Sequence, residues 1–456
     1  MKDRFGFDAS GLARTRFWRR PELGRRAFFR HLGTGTAGYF LYPGLTGERL
    51  RAAGAATKGT AKYCIFVLMR GGPSQIDTFD LKEGAWTPRE LAPESFGGIR
   101  WPRGLMPQLA NHLDSVALLR SVKAWAAVHV LAQVWVQIGR SPLAAASKFA
   151  PHIGSVVAME YGARDAERVL PAFLSMNAGS GIGAGFLPPE NAPLFVTPGG
   201  AGMANTSHRD GPARYDRRFG LLLDLDAELR GAESIGGVGP LTASYSWGAR
   251  KLVYNDVVDR VFSFPNEDRV RYGNSQFGNA CIAARNMLKH RTGVRFIQIQ
   301  TLDWDQHENI WTPDAGHFAR AKEFDSAMGP LIADLKAEGL FEETLIVCMG
   351  EFGRTVGNLN ASRGRDHFLQ QSVLMAGAGI AGGRTIGETN AAGTGTLNPG
   401  WSRDRDIRAE DVEATIYSAM GIDWTTVRQG DPTGRGFYYV PDSDRDVYAP
   451  VHELWG

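Results

Sequence analysis

Two hydrophobic periods alternate along this chain. Short runs that are apolar throughout, such as Tyr63–Met69, are typical of strands buried on both faces of a sheet. The predicted strands are Tyr63 to Met69, Ser115 to Leu119, Val294 to Thr301, Leu345 to Met349 and Ser372 to Ala376.

Between these runs, apolar residues recur at the spacing of amphipathic helices. The predicted helices are His129 to Gly139, Ser275 to His290, Phe318 to Leu335 and Asp411 to Met420, the last capped by Gly421. Strands that alternate with helices predict an α/β fold, with a mainly parallel central sheet and helices on both faces.

The section 177–270 fits this rhythm least. A loop rich in glycine and proline spans Gly179 to Gly202, and helical patterns follow at Tyr215 to Ser234 and Thr242 to Phe262. We therefore predict a leader and linker over residues 1–58 and a single domain over residues 59–456. Section 177–270 is expected to be an insertion in that domain.

Charge is distributed unevenly along the 456 residues. The formal net charge is +3, but residues 1–60 carry 12 Lys and Arg against 4 Asp and Glu, and the remaining chain carries 39 against 44. The 43% hydrophobic and 22% charged content is that of a globular protein. A slightly acidic body argues against a nucleic-acid partner, which would need a clustered basic surface.

The basic N-terminus resembles a twin-arginine export signal. Arg25-Arg26 is followed by Phe28 and by a weakly apolar, glycine-containing run from Leu32 to Leu45, and Ala53-Gly54-Ala55 is a candidate cleavage site. The alternative is an exposed basic helix. The first interpretation predicts the twin-arginine machinery as a partner and a periplasmic or cell-surface location. Elsewhere the sequence has no apolar run of about twenty residues, so no other transmembrane helix is predicted.

The chain contains three cysteines. They are Cys64, Cys281 and Cys348, and two of them lie within apolar strand-like runs. We interpret them as small core residues and not as a disulfide framework.

Candidate chemistry is concentrated where predicted strands end. Asp303, Asp305 and His307 directly follow Val294 to Thr301, and ligands of open α/β sheets lie beyond the carboxyl ends of strands. Carboxylate oxygen and imidazole nitrogen suit zinc, manganese or iron better than calcium. Of the carboxylates of Asp303 and Asp305, we expect one to bind the metal and the other to serve as an orienting group. The alternative is a strand end with solvated carboxylates.

A second cluster follows the strand at Leu345 to Met349. Glu351 is a candidate ligand or base, and Arg354 offers a forked donor for an oxyanion. A surface Glu–Arg pair is the alternative. His367, in Arg365-Asp366-His367, is a further candidate ligand because it follows closely.

Several motifs, in order, resemble a known superfamily. They are Gly71-Gly72-Pro73-Ser74-Gln75-Ile76-Asp77-Thr78-Phe79-Asp80, Met106 to Ala110, His129 to Pro142, Trp304-Asp305-Gln306-His307, Gly350 to Thr355 and Gly364-Arg365-Asp366-His367. The chain from Lys62 onwards resembles the alkaline phosphatase and sulfatase superfamily, and within it the family called domain of unknown function 1501. The resemblance implies an alkaline-phosphatase-like fold and a divalent-metal site.

The sequence departs from the superfamily pattern at several positions. Arg70 and Gly71 stand where the first strand usually ends in a metal-binding Asp, which leaves Asp77 as a substitute ligand. The position of the usual Ser, Thr or modified Cys nucleophile falls on His129, which could be a ligand, a general base or a nucleophile. Phe352 follows Glu351 where a His ligand is usual. No cysteine begins the C-x-P-x-R pattern of formylglycine sulfatases.

The leading functional hypothesis is therefore an exported, metal-dependent hydrolase of phosphate or sulfate esters. Its substrate would be a small anionic ester or a sulfated or phosphorylated glycan. The predicted metal ligands are Asp303, Asp305, His307, Glu351, His367 and Asp77, which would hold one or two ions, most simply zinc or manganese. Arg354 and Arg70 would neutralise the anionic group, and His129 would face the reacting centre. The competing hypothesis is a pseudo-enzyme that serves as a cell-surface binding or assembly module.

Overall fold

The computed structural model describes residues 56–162, 165, 167–231 and 248–456. The predicted export signal and its candidate cleavage site lie outside these residues. So does part of the helical pattern predicted at 215–234 and 242–262. Among the residues described, none of the helices combines the length and apolar character needed to cross a membrane.

Eight strands form one central sheet. They are β1 Tyr63–Met69, β4 Val116–Lys123, β5 Phe173–Met176, β6 Leu194–Val196, β7 Phe296–Thr301, β8 Thr344–Met349, β11 Gln370–Ala376 and β12 Arg384–Ile386. Short two-stranded ribbons are formed by β2 Pro93–Phe96 with β3 Ile99–Pro102, β9 Gly353–Arg354 with β10 His367–Phe368, β13 Glu388–Thr389 with β14 Thr396–Asn398, and β15 Val427–Arg428 with β16 Phe437–Tyr438.

The order of strands across the sheet is β12-β4-β11-β8-β1-β7-β5-β6. Every neighbouring pair is parallel except the two that involve β11, which runs antiparallel to both β4 and β8. The predicted mainly parallel sheet is confirmed. The reversal of β11 was not predicted, because an apolar run carries no information about strand direction.

Helices connect most of these strands. They are α1 Pro107–Ala110, α2 His129–Ile138, α3 Ile153–Gly162, α4 Pro212–Gly231, α5 Asp256–Phe262, α6 Asn266–Arg271, α7 Gln276–Lys289, α8 Gly316–Ala337 and α9 Ala409–Ala419. The four predicted helices outside section 177–270 match α2, α7, α8 and α9 to within a few residues.

The sheet is buried on both faces. Alternate residues of β1 enter two different apolar clusters: Ile65, Val67 and Met69 pack with α7 and α8, whereas Phe66 and Leu68 pack with α3 and α9. Since successive side chains of a strand point to opposite faces, helices cover both sides of the sheet, as predicted.

Section 177–270 is more closely tied to the sheet than its composition suggested. The predicted loop Gly179 to Gly202 contains β6, which pairs with β5 at one edge of the sheet. The helical pattern that ends at Phe262 is interrupted, because Tyr254 has a positive φ of 54° and Asn255 caps a new helix, α5.

Three strand ends meet at one edge of the sheet. β1 lies between β7 and β8, with Met69 opposite Thr301 and Leu68 opposite Met349. The segments that follow these parallel strands therefore emerge side by side. They carry Gly71, Asp305, His307 and Glu351.

Candidate metal centre

Four side chains from three parts of the chain converge at this edge of the sheet. His129 is the first residue of α2, Asp305 and His307 follow β7, and His367 begins β10. One ligand atom from each of the four lies within 4.8 Å of the others. The structure thus brings together four of the residues that the sequence analysis selected.

Distances within the cluster are short. The Nε2 atom of His307 lies 2.9 Å from Asp305 Oδ1 and 3.0 Å from His367 Nε2, and the Nε2 atom of His129 lies 3.2 Å from Asp305 Oδ2. Two atoms that are each about 2.1 Å from one metal ion are about 3.0 Å apart at a right angle and about 3.4 Å apart at the tetrahedral angle. The observed separations match both.

Each imidazole makes a hydrogen-bond contact through Nδ1, the ring nitrogen on the side away from the centre of the cluster. His129 Nδ1 lies 2.7 Å from Glu351 Oε1, His307 Nδ1 lies 2.9 Å from Asp366 Oδ1, and His367 Nδ1 lies 2.9 Å from the Ala127 carbonyl. Carbonyl and carboxylate oxygens accept hydrogen bonds, so these partners favour protonated Nδ1 atoms and leave the Nε2 lone pairs turned to the centre. This arrangement is the usual support of metal-bound histidines.

The Nε2 atom of His129 gives a separate test of whether a metal fits. This atom is buried, and among the residues described it has no hydrogen-bond partner. Its nearest charged neighbour is an oxygen of Asp305, which cannot donate a proton when ionised. A cation between the two would satisfy both atoms. The four donors therefore fit a divalent metal ion.

Arg354 sets the charge of Asp305. Burial favours the neutral form of Asp305, but the hydrogen bond and charge of Arg354 outweigh it and lower the pKa of that carboxyl to about 2. Arg354 Nη2 lies 2.5 Å from Asp305 Oδ1, and the Arg354 side chain is 1% exposed. Asp305 is thus held as an anion in one orientation.

The expectation that Arg354 binds an anionic substrate needs correction. Its guanidinium donates to the carbonyls of Gly71, Gly72 and Arg365 and to Asp305, and it lies 3.4 Å from His307 Nε2. Protein oxygens therefore take four of its five N–H groups, and the fifth points at His307 inside the cluster. Arg70, the other predicted anion-binding residue, is exposed just beyond β1.

Glu351 supports the cluster without belonging to it. Its carboxylate is fully buried and accepts hydrogen bonds from the Gly71 amide at 2.9 Å and from Gln133 Nε2 at 2.9 Å, besides facing His129. The bond to Glu351 is the largest influence on His129 and raises the pKa of its imidazole. Glu351 therefore orients His129, whereas the sequence had suggested a ligand or base.

Two further predicted ligands, Asp303 and Asp77, lie outside the cluster. Asp303 has a positive φ of 65°, and its side chain is 76% exposed beside Arg320. Asp77 is fully buried in an ion pair with Arg365 at 2.6 Å. The hydroxyl of Ser74 also donates to Asp77.

Two positions at which the sequence departs from the pattern it resembles, Gly71 and Phe352, lie close to the cluster. Gly71 has a φ of +111°, and a Cβ atom at this position would lie 2.4 Å from the Asp305 amide nitrogen. A side chain, and hence a ligand, cannot be placed there. Phe352 is fully buried and packs against the rings of His129 and His367, with ring centroids 4.8 and 4.6 Å away. Its ring packs on two imidazoles at a position where the superfamily that the sequence resembles usually has a His ligand.

Three functional contacts were missed by the sequence analysis. Gln133 binds Glu351, Asp366 binds His307, and the Ala127 carbonyl binds His367. Two of these residues could have been selected from the sequence. Gln133 follows His129 by four residues on a predicted helix, and Asp366 lies inside the motif Gly364-Arg365-Asp366-His367. A backbone carbonyl leaves no trace in the sequence.

The sequence matches a family model over most of its length. The model is described as "Protein of unknown function (DUF1501)", and it matches residues 61–437. The chain belongs to the DUF1501 family. All four residues of the cluster lie within the matched region, so the candidate metal centre is located in the DUF1501 domain itself.

Three solved structures illustrate the range of proteins to which this DUF1501 chain is similar. Ps i-CgsB in complex with k-i-k-neocarrahexaose is 12% identical, covers 86% of this chain and 78% of its own, and has a TM-score of 0.41. The lipoteichoic acid synthase LtaP from Listeria monocytogenes is 11% identical, with coverages of 86% and 79% and a TM-score of 0.36. A protein in the alkaline phosphatase superfamily from Vibrio parahaemolyticus is 12% identical, with coverages of 81% and 69% and a TM-score of 0.38. No curated protein is significantly similar to the chain in sequence.

Proposed function

We propose that this DUF1501 protein is a metal-dependent hydrolase of phosphate or sulfate esters. One observation carries the proposal. Four ligand atoms, from His129, His307, His367 and Asp305, converge on a common centre. The Nδ1 atom of each histidine contacts a carboxylate or carbonyl oxygen on the opposite side of the ring. We propose a single divalent ion, zinc or manganese, because among the residues described only this one group of metal-binding side chains occurs.

Charge supports a divalent ion. The carboxylates of Asp305, Glu351 and Asp366 lie at or directly behind the ligands, and Arg354 is the one guanidinium that contacts the cluster among the residues described. Three negative charges and one positive charge give these groups a net charge of −2 before any ion is bound. An ion of charge +2 would balance the charge of the whole assembly, which matters because Glu351 and Arg354 are buried.

Of the three roles left open for His129, we propose that of a ligand. A nucleophile or base needs a free nitrogen that faces the substrate. Here Nδ1 is occupied by Glu351, and Nε2 points at Asp305 within the cluster. The absence of a Ser, Thr or Cys at this position then implies direct attack by water on the ester.

The chain's own residues prepare the centre for this chemistry. A divalent ion held by the four side chains would polarise an ester oxygen and lower the pKa of a bound water molecule. Arg354 keeps Asp305 ionised, and Phe352 and Glu351 fix the ring of His129. The four ligand side chains are 24 to 43% exposed, so a substrate has access from solvent. Arg70 is the proposed contact for the anionic group.

The biological setting is part of the proposal. We propose export through the twin-arginine machinery to the periplasm or the cell surface, on the pattern of residues 1–58. Sulfated or phosphorylated glycans and small anionic esters are the substrate classes that such a location and chemistry suggest.

The experiment is a hydrolysis panel on metal-loaded protein. Purified protein is stripped with a chelator, reloaded with Zn²⁺ or Mn²⁺, and assayed with an aryl phosphate, an aryl phosphodiester and an aryl sulfate. The proposal predicts turnover of at least one ester that disappears on stripping and returns on reloading. Full metal occupancy without turnover of any ester contradicts a hydrolase.

One observation favours the second candidate, a pseudo-enzyme that acts as a binding or assembly module. Protein oxygens take four of the five N–H groups of Arg354, so its guanidinium cannot bind an anionic substrate through two parallel hydrogen bonds. A module of this kind would bind the metal, and phosphate or sulfate would bind to that metal without hydrolysis of any ester. The same panel, followed by calorimetric titration with inorganic phosphate and sulfate, separates the two candidates.

A further inference from the structure

A row of polar side chains follows one face of α2. His129, Gln133 and Gln137 are spaced by four residues, which places them one above another on the helix. All other residues of the helix are apolar, and among them Ala132, Val136 and Ile138 are buried. Polar residues on a helix that packs against a core need partners, and each member of this row has them.

Gln133 binds the carboxylate that supports the metal centre. Its Nε2 atom donates to Glu351 Oε1 at 2.9 Å, the same oxygen that lies 2.7 Å from His129 Nδ1 and 2.9 Å from the Gly71 amide. Three donors thus converge on a single carboxylate oxygen. Because Glu351 is fully buried, these donors determine where its charge lies.

Gln137 has a different set of partners. Its Nε2 donates to the Gln133 carbonyl at 2.7 Å, and its Oε1 accepts from Gln298 at 2.9 Å. Gln298 belongs to β7, the strand that leads to Asp305 and His307. Gln137 therefore attaches α2 to the sheet, and its hydrogen bonds do not reach Glu351.

We propose that Gln133 is a positioning residue of the metal centre. By donating to Glu351 Oε1 it holds that oxygen against His129 Nδ1, and His129 is kept in the tautomer and orientation that direct Nε2 to the ion. This inference rests on the proposed metal site and adds to it a residue whose side chain donates to Glu351, behind the ligand His129. Changes to such supporting residues typically weaken metal affinity by about 10 to 100-fold.

The test compares two glutamines on one helix face. Gln133→Leu removes the donor to Glu351, whereas Gln137→Leu removes buried hydrogen bonds one turn away. Both proteins are stripped and titrated with Co²⁺ against a competing chelator. The visible absorption of bound Co²⁺ reports the geometry of its ligands. We expect Gln133→Leu to bind Co²⁺ about 10-fold more weakly with an altered spectrum. Gln137→Leu should lower the melting temperature and retain wild-type affinity and spectrum.

The outcomes separate this inference from the proposed function. Wild-type affinity and spectrum in Gln133→Leu overturn the positioning role and leave the metal site intact. An equal loss of affinity in both variants also overturns it, because it indicates a general disturbance of α2. A wild-type protein that binds no Co²⁺ overturns both proposals. If Gln133→Leu does not fold, Gln133→Met, which keeps the side-chain length without the donor, replaces it in the same titration.

Discussion

The Nε2 atoms of His307 and His367 lie 3.0 Å apart. His367 Nδ1 must carry a proton, because its partner is the Ala127 carbonyl, and His307 Nδ1 faces the Asp366 carboxylate. In their neutral forms both Nε2 atoms therefore lack a proton, and Arg354 Nη1 approaches the His307 atom to 3.4 Å. Two lone pairs at this distance repel each other unless a cation or a proton lies between them. The nearby Asp305 oxygen makes a metal ion the more suitable occupant.

Glu351 is predicted to control metal affinity without binding the metal. Glu351→Gln keeps the size of the side chain but removes the charge that raises the pKa of His129. We expect Zn²⁺ affinity to fall by about 10 to 100-fold, the usual range for such supporting groups. Competition titration with a chelator measures the change. An unchanged affinity would show that Glu351 serves packing alone.

His129→Gln distinguishes a ligand from a nucleophile. Loss of a ligand should reduce metal affinity by more than the roughly 100-fold seen for supporting residues. If His129 were a nucleophile instead, the variant would retain its metal and lose only turnover. Metal content after dialysis, measured beside ester hydrolysis, decides between the two roles.

Much of this centre could be predicted because parallel strands that are adjacent in a sheet end at a common edge. The apolar run before Asp305 and His307, and the run before Glu351, correctly indicated β7 and β8. His129 was selected because the resemblance to the superfamily places the usual nucleophile at its position. The predictions of β7 and β8, by contrast, depend only on hydrophobic period and sequence order, which the chain contains explicitly.

The remaining details depend on backbone angles and distant contacts. Asp303 and Asp305 are the same type of residue, two positions apart. The backbone at Asp303 is left-handed, and its side chain is exposed to solvent. Asp77 and Arg365 are 288 residues apart, and their pairing follows only from the fold. Hydrogen-bond partners such as Gln133 likewise follow from how α2 packs on the sheet.

Asp77 is predicted to be structural. Asp77→Asn removes the charge that balances Arg365, and both side chains are fully buried. An uncompensated buried charge typically costs about 3 to 5 kcal/mol of unfolding free energy. Denaturant unfolding measures this loss. Metal stoichiometry should stay at the wild-type value, and a fall in stoichiometry in a variant that remains folded would restore Asp77 as a ligand.

Glu413 is predicted to make stability depend on pH. Its carboxyl is buried in α9, accepts a hydrogen bond from Tyr417, and leaves Oε2 without a hydrogen-bond partner among the residues described. Burial raises its pKa to about 8, despite the attraction of Arg140. The folded state therefore retains a proton that the unfolded state releases near its ordinary pKa.

The sign of the effect follows from this proton. As pH rises from the unfolded pKa towards 8, the unfolded state is favoured, so stability falls. We expect the wild-type protein to lose about 3 kcal/mol relative to Glu413→Gln between pH 6 and 9. Unfolding in urea of both proteins, stripped of metal, measures the difference. Parallel pH profiles would contradict a neutral Glu413.

The most direct measurement is the metal content of the purified, folded protein. Elemental analysis after exhaustive dialysis should find about one zinc or manganese ion per chain. His307→Ala should lose that ion, and His290→Ala, which alters a histidine outside the cluster, should retain it. A wild-type protein without stoichiometric metal, or a His307→Ala protein with unchanged metal content, would contradict the metal centre.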